Sequence, residues 1–335
     1  MSITPMSVSD ATIESSIRAA YDKQTTIDNY LHRLQHLQSS IFPGKGLYWI
    51  IMGPSVKENY AKIREKYPNV NTRKNVLTAI LAVLRHATGF QSDKDLYEDR
   101  RRLWMTFHDH MGRFQEARYK RNLPSDRQMS QYTPMEDIEL MYNSILNKSS
   151  THKTLQDSQQ LVLLSLIVST PPKRSDYGAL RVYYEDDPNL DGENYIVLRA
   201  RTPSFVALNK YKTSKRYARV DEDLPARTAR DIKDSLRRWP RTYLFETRFG
   251  KPFATNDAYA KYVRGVFLRL FGRTTGVTML RHIYITEKVD FENMNEDELE
   301  DVARQMLHST TLQRKYNWSK RAICETLKKL CPECR

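Results

Sequence analysis

Two stretches, Thr278-Met-Leu-Arg-His-Ile-Tyr-Ile-Thr286 and Met306-Leu-His-Ser-Thr-Thr-Leu-Gln-Arg-Lys-Tyr316, decide how the chain is read. Each sets polar, chemistry-bearing side chains where an apolar run ends or a turn is expected: Thr278 and Arg281 in the first, His308 and Tyr316 in the second. Upstream, in the same ordered set, stand Arg174, in Pro171-Pro-Lys-Arg-Ser-Asp-Tyr-Gly-Ala-Leu180, and Lys212, in Asn209-Lys-Tyr-Lys-Thr-Ser-Lys215. Singly, each has a plain explanation: a surface cation in a basic protein, a structural histidine, a packed tyrosine. Their order and spacing are what call for another.

Around these boxes the pattern is mostly helical. Leu155–Ser169 reads as a buried helix that stops at Thr170-Pro-Pro172, because proline lacks the N–H a helix needs and clashes with the preceding turn. Further helices are expected over Met135–Leu146, Ala226–Arg238, Asn256–Phe271, Leu280–Val289 and Glu296–Leu307, with a tail helix near Ser319–Leu330. One region favours strands. Tyr195–Leu198 and Phe205–Leu208 are rich in β-formers, Asp191-Gly192 supplies a turn, and Lys215–Val220 can return antiparallel to the second run. The N-terminal third carries helical stripes through Ile27, Tyr30, Leu31, Leu34 and Leu37, and through Val76, Leu77, Ile80, Leu81 and Leu84, the latter capped by Asn71 or Thr72. Arg33, Lys57, Lys62, Arg64, Lys66, Arg73, Lys74 and Arg85 are placed on polar faces. The expectation is a mainly α chain with a small antiparallel β-sheet (α+β), in two domains, 1–125 and 126–335, with a linker near 118–135.

Composition narrows the partners. The 335 residues hold 54 Lys and Arg against 40 Asp and Glu, a formal charge of +14 that suits a polyanion. The longest apolar run, Leu161-Val-Leu-Leu-Ser-Leu-Ile-Val168, is far short of the ~20 residues that cross a bilayer, and Met1–Asp10 lacks a signal-peptide layout, so an intracellular, non-secreted protein is expected. The three cysteines, Cys324, Cys331 and Cys334, crowd the last residues, so disulfides are not expected to hold the fold. Cys331-Pro-Glu-Cys334 has the spacing of half a zinc site, but only Cys324 is near enough in sequence to add to it, and reduced thiols are the favoured reading. No metal and no cofactor are expected.

In these boxes the chain resembles the tyrosine recombinases, the phage integrase family. That family shows an Arg after the first buried helix, a Lys on a β-hairpin, a His-x-x-Arg box, a Leu-Gly-His-like turn and a Tyr a few residues later. The resemblance covers about 150 to 320, and Asn71-Thr-Arg-Lys-Asn-Val-Leu-Thr-Ala-Ile80 fits the family's helical core-binding domain more loosely. It implies a DNA clamp of a core-binding domain and a catalytic domain. The implied activity is DNA recombination or integration through a 3′-phosphotyrosyl intermediate, without metal or ATP. It also implies double-stranded DNA and a homotetramer as partners, with a viral or mobile-element integrase preferred. The implied catalytic set is Arg174, Lys212, Thr278, Arg281, His308 and Tyr316. Thr278 stands where the family has His, and Asp176 follows Arg174 one residue sooner than the family's carboxylate follows its Arg, which leaves Lys173 open as the first cation.

The chemistry supports the same set from first principles. A phosphodiester attacked by a protein nucleophile builds negative charge on phosphorus, and two guanidinium forks, Arg174 and Arg281, can hold its non-bridging oxygens. Tyr316 supplies the nucleophile, favoured as phenolate by neighbouring cations, and a phosphotyrosine conserves the bond energy for rejoining. The departing 5′ oxygen needs a proton, for which Lys212 is preferred, with Lys210 and Lys215 as alternatives. His308 can donate to a phosphate oxygen or assist proton transfer, and His282 can compensate for Thr278. Trp318, Ala322, Ile323, Leu327 and Leu330 form an apolar stripe on a basic tail, which either packs on its own domain or docks on a neighbouring protomer. The other functions weighed are a type IB topoisomerase-like enzyme and a DNA-binding architectural protein with little turnover.

Overall fold

The computed structural model describes residues 8–87, 89–147, 154–190, 192–212, 214, 218–320 and 323. The chain folds as two compact units, Met1–Arg121 and Asn122–Arg335.

Among the described residues of the first unit, the helices α1 (Asp10–Ala20), α2 (Gln24–Ser40), α3 (Leu47–Met52), α4 (Val56–Lys66), α5 (Val70–His86) and α6 (Lys94–Lys120) enclose one core. The apolar stripes account for it: Ile27, Leu31, Leu34 and Leu37 of α2 and Val76, Leu77, Ile80 and Leu84 of α5 are buried. Trp104 of α6 is fully buried, and its indole N–H donates to the Ile51 carbonyl at 2.9 Å. Two local expectations are corrected. The cap of α5 is Asn69, whose side chain accepts from the N–H groups of Asn71 and Thr72, so the helix starts before either expected cap. Arg73 is not on a polar face: it is 8% exposed, and its guanidinium donates to the Tyr67 carbonyl.

The second unit carries α7 (Asp126–Met129), α8 (Met135–Leu146) and α9 (Leu155–Ser169), then strands β1 (Arg181–Tyr184), β2 (Tyr195–Leu198), β3 (Phe205–Leu208) and β4 (Val220–Asp223). It closes with α10 (Ala226–Arg238), α11 (Asn256–Phe271), α12 (Val277–Lys288), α13 (Glu296–Gln305) and α14 (Thr310–Tyr316). The fold class is α+β. The sheet has the order β1-β2-β3-β4, and it is mixed rather than antiparallel, because β1 runs parallel to β2 while β2–β3 and β3–β4 are antiparallel. β1 went unread in the sequence: it is an edge strand, half exposed, and strand direction leaves no local mark.

Side-chain alternation splits the central strands between two cores. Ile196, Leu198, Val206 and Leu208 face the main helical core, and Tyr195, Val197, Phe205 and Ala207 form a smaller cluster on the other face. Helix α9 is buried all round, as its continuous apolar run requires, and so serves as the central post of this unit. Helix α12 begins at Val277, ahead of the expected Leu280, which puts Thr278 and Arg281 on the same helix. Helix α13 ends at Gln305, short of the expected Leu307. Among the described residues no helix is long and apolar enough to cross a membrane. The three cysteines and most of the expected tail helix lie outside the described residues.

Candidate active site

The C-terminus of α13 organises the site. Its last turn closes as a Schellman motif: Leu307 takes the left-handed conformation at φ 55°, and the His308 N–H returns to the Ala303 carbonyl at 3.0 Å. Three consecutive carbonyls within that turn each meet a different cation. Lys173 donates to Gln305, Arg281 to Met306 at 2.8 Å, and Arg174 to Leu307 at 3.2 Å. A helix C-terminus carries partial negative charge and unmet acceptors, so three cations gather there, although among the described residues neither arginine forms an ion pair and Asp176 is the acid whose charge reaches them.

Arg281 is the hub. It is 1% exposed, donates also to the Pro172 carbonyl at 3.0 Å, and bonds Nδ1 of His308 through Nη2 at 2.7 Å. Its guanidinium lies 5.5 Å from the Tyr316 ring centroid, and the His308 and Tyr316 rings are near-parallel at 5.7 Å. Burial, then the charge of Arg174, lowers the Arg281 pKa, offset in part by Tyr316. Burial and the two arginines likewise push His308 down to about 3, so its imidazole is neutral. Two buried donors in this cluster, Arg281 Nε and His308 Nε2, have no hydrogen-bond partner among the described residues. Buried donors left without an acceptor are costly, and both would be satisfied by an acceptor such as an oxyanion.

Tyr316 is the last residue of α14, whose cap is Ser309, so a short helix sets the spacing between His308 and Tyr316. Its backbone carbonyl accepts from Nδ1 of His282 at 2.9 Å. His282 stacks on Trp318 at 4.1 Å and meets the Tyr316 ring edge-on at 4.5 Å, and burial lowers its pKa to about 4. The nucleophile candidate is thus held from behind by a neutral imidazole.

Arg174, Arg281, His308 and Tyr316 are brought together. Lys173 is not an equivalent of Arg174: its ammonium is wholly buried beneath the cluster, ion-paired with Glu222 of β4, and burial lowers its pKa. Asp176 accepts from the backbone N–H of Arg174 at 3.2 Å, and burial raises its pKa against the pull of Arg174. Thr278 is exposed in the first turn of α12, one turn ahead of Arg281 and His282. Lys212 is exposed on the turn after β3, as is Lys210, and neither side chain contacts the arginine cluster among the described residues. Lys215 lies outside the described residues.

No family model matches the sequence, and no curated protein matches it. Among solved structures, the chain is similar to one described as "Crystal structure of XerA recombinase", with a TM-score of 0.40 and 12% identity over 96% of each chain. A likeness of that size decides nothing here.

Several residues of the site were not singled out in the sequence. Glu222 reads as one acid in an acidic strand, whereas Gln313 stands in the second box as the Gln of its Gln-x-x-Tyr ending; it is fully buried in α14, and neither amide atom has a hydrogen-bond partner among the described residues. Trp318 was read only as part of the tail stripe, although its place just after Tyr316 was the available signal.

Proposed function

We propose that the chain is a DNA strand-breaking and rejoining enzyme of the tyrosine recombinase kind, working through a phosphotyrosine. The observation that carries this reading is the pair of buried, unpartnered donors, Arg281 Nε and His308 Nε2, beside a tyrosine ring and a second arginine.

The step balances with groups of this chain. Tyr316 Oη attacks the phosphorus and releases its proton to solvent; the bond from phosphorus to the 5′ oxygen breaks; that oxygen takes a proton from Lys212, which solvent later restores; and the 3′ phosphate stays on tyrosine. Reversal with a 5′ hydroxyl from another strand rejoins the DNA. Arg174 and Arg281 neutralise the charge growing on the non-bridging oxygens, and His308 donates through Nε2–H. No water enters, and the bond energy is retained. Lys212 sits on an exposed turn, which gives it reach toward bound DNA. The catalytic role belongs to the second unit and a DNA-gripping role to the first. Binding as a homotetramer on two sites follows from pairing strand exchanges.

A nicked suicide substrate, from which the cleaved 5′ fragment diffuses away, tests the reading. The expected result is a covalent adduct at Tyr316 with the wild-type chain and none with Tyr316→Phe. Salt-sensitive DNA binding with no adduct in either protein overturns catalysis and leaves the architectural role, which the exposed Thr278 in place of an imidazole favours.

A further inference from the structure

Asn194, on the loop leading into β2, uses its whole carboxamide. Its Oδ1 accepts from the N–H groups of Asn209 at 3.0 Å and Lys210 at 2.8 Å, and its Nδ2 donates to the carbonyls of Lys210 at 2.9 Å and Asp176 at 3.4 Å. Two N–H groups on one end and two carbonyls on the other fix which atom is oxygen, since the flipped amide would face donor to donor and acceptor to acceptor. Asp176 closely follows Arg174, and Asn209–Lys210 is the root of the turn that presents Lys212. One side chain therefore joins the segment of the first arginine to the turn of the lysine.

The turn is secured elsewhere as well, and those bonds leave Asn194 a distinct task. The Asn209 side chain donates to the carbonyls of Leu190 and Glu193, and the Tyr211 hydroxyl donates to the Ala218 carbonyl at 2.7 Å. Arg219 ties the start of β4 to Asp187 at 2.7 Å and Asn189 at 2.7 Å. These contacts hold the two ends of the turn to the sheet. Among the described residues, the Asn194 carboxamide is the contact that also reaches the arginine segment.

We propose that Asn194 is a positioning residue that sets the lysine turn relative to the arginine cluster, so that Lys212 reaches the departing 5′ oxygen. This rests on the phosphotyrosine reading above. An aspartate keeps Oδ1 on the N–H groups of Asn209 and Lys210 and loses both donors, so Asn194→Asp breaks the link to the Asp176 carbonyl, and with it the tie between the turn and the arginine segment, while altering little volume.

The test compares adduct formation on an ordinary suicide substrate and on one whose 5′ bridging oxygen is replaced by sulfur. A thiolate is a far weaker base than an alkoxide and leaves without a proton, so the sulfur substrate bypasses the general acid. Asn194→Asp and Lys212→Ala are each expected to slow cleavage of the oxygen substrate by about 10²-fold or more, and both to approach the wild-type rate on sulfur. Arg174→Ala is expected to stay slow on both. Wild-type-like cleavage by Asn194→Asp on oxygen, or slow cleavage that sulfur does not restore, overturns the positioning role. DNA binding without cleavage reports folding, and Asn194→Ser is read in parallel; loss of binding in both variants assigns Asn194 to the stability of the unit and also overturns the proposal. No adduct from the wild-type chain on either substrate overturns the phosphotyrosine reading itself, which is a different result from any of these.

Discussion

Arg281 Nη2 and His308 Nδ1 share a buried hydrogen bond of 2.7 Å, and arginine can only donate. His308 is therefore held as the neutral tautomer with its proton on Nε2, the atom that lacks a partner. Its pKa lies near 3 in the folded chain, against about 6.5 when unfolded. Because the folded value is the lower one, the unfolded chain binds the extra proton between those limits, and stability falls as pH falls through that window. Between pH 6.5 and pH 5 this costs about 2 kcal/mol. Urea unfolding of the second unit at the two pH values checks it: His308→Gln should lose that part of the pH dependence. His282, lowered to about 4, should behave in the same sense when replaced. Cleavage should show no limb near pH 6.5 arising from His308.

Arginine and lysine are not equivalent at the hub. The Arg281 guanidinium reaches two carbonyls and an imidazole at once, in one plane, and a lysine ammonium cannot span the three. Arg281→Lys should slow single-turnover adduct formation by roughly 10²- to 10³-fold and also lower the melting temperature. Arg174 is only half-buried and its side chain makes one backbone bond, so Arg174→Lys should slow the same step with much less loss of stability. The two measurements together separate transition-state stabilisation from folding.

What could be read from the residues alone follows from how local the determinants are. Helix α9 and strands β2 and β3 are long apolar or β-branched runs, and their limits agree with the expected ones, because burial and proline punctuation are written in consecutive residues. The parallel pairing of β1, the burial of Arg73 and the Lys173–Glu222 pair depend on partners far along the chain, and nothing nearby announces them. Arg281, His308 and Tyr316 could be grouped because their order and spacing resemble the boxes of a known family, and the short helix from Thr310 to Tyr316 keeps the last two close along the chain. How Asn194 joins the lysine turn to the arginine segment could not, since it joins three separate stretches.

The ion pair beneath the cluster gives a prediction of opposite signs. Lys173 and Glu222 pair with the lysine side chain wholly out of solvent and the carboxylate only 13% exposed, so Lys173→Met leaves a mostly buried carboxylate without its counter-charge. A loss of about 3–5 kcal/mol is expected, read by chemical denaturation. Adding Glu222→Leu removes that carboxylate, and the double variant should recover most of the loss, because a packed apolar pair is often as stable as a buried ionic one. A double variant no more stable than Lys173→Met would show that the Gln305 carbonyl, and not Glu222, is what requires the ammonium.

Leu307 sets two effects against each other. Its φ of 55° costs about 1–2 kcal/mol for a residue with a Cβ, while its side chain is 1% exposed within the main core. Burying a leucine contributes about 1.5–3 kcal/mol, and emptying the site adds a cavity cost, so both Leu307→Ala and Leu307→Gly should destabilise. Alanine keeps the backbone penalty and glycine removes it. The glycine variant should therefore be the more stable of the two by about 1 kcal/mol, the reverse of their usual order inside a helix. Thermal melts of the two proteins check the order, and an alanine variant equal to or above glycine would mean that the left-handed turn carrying His308 stores no strain.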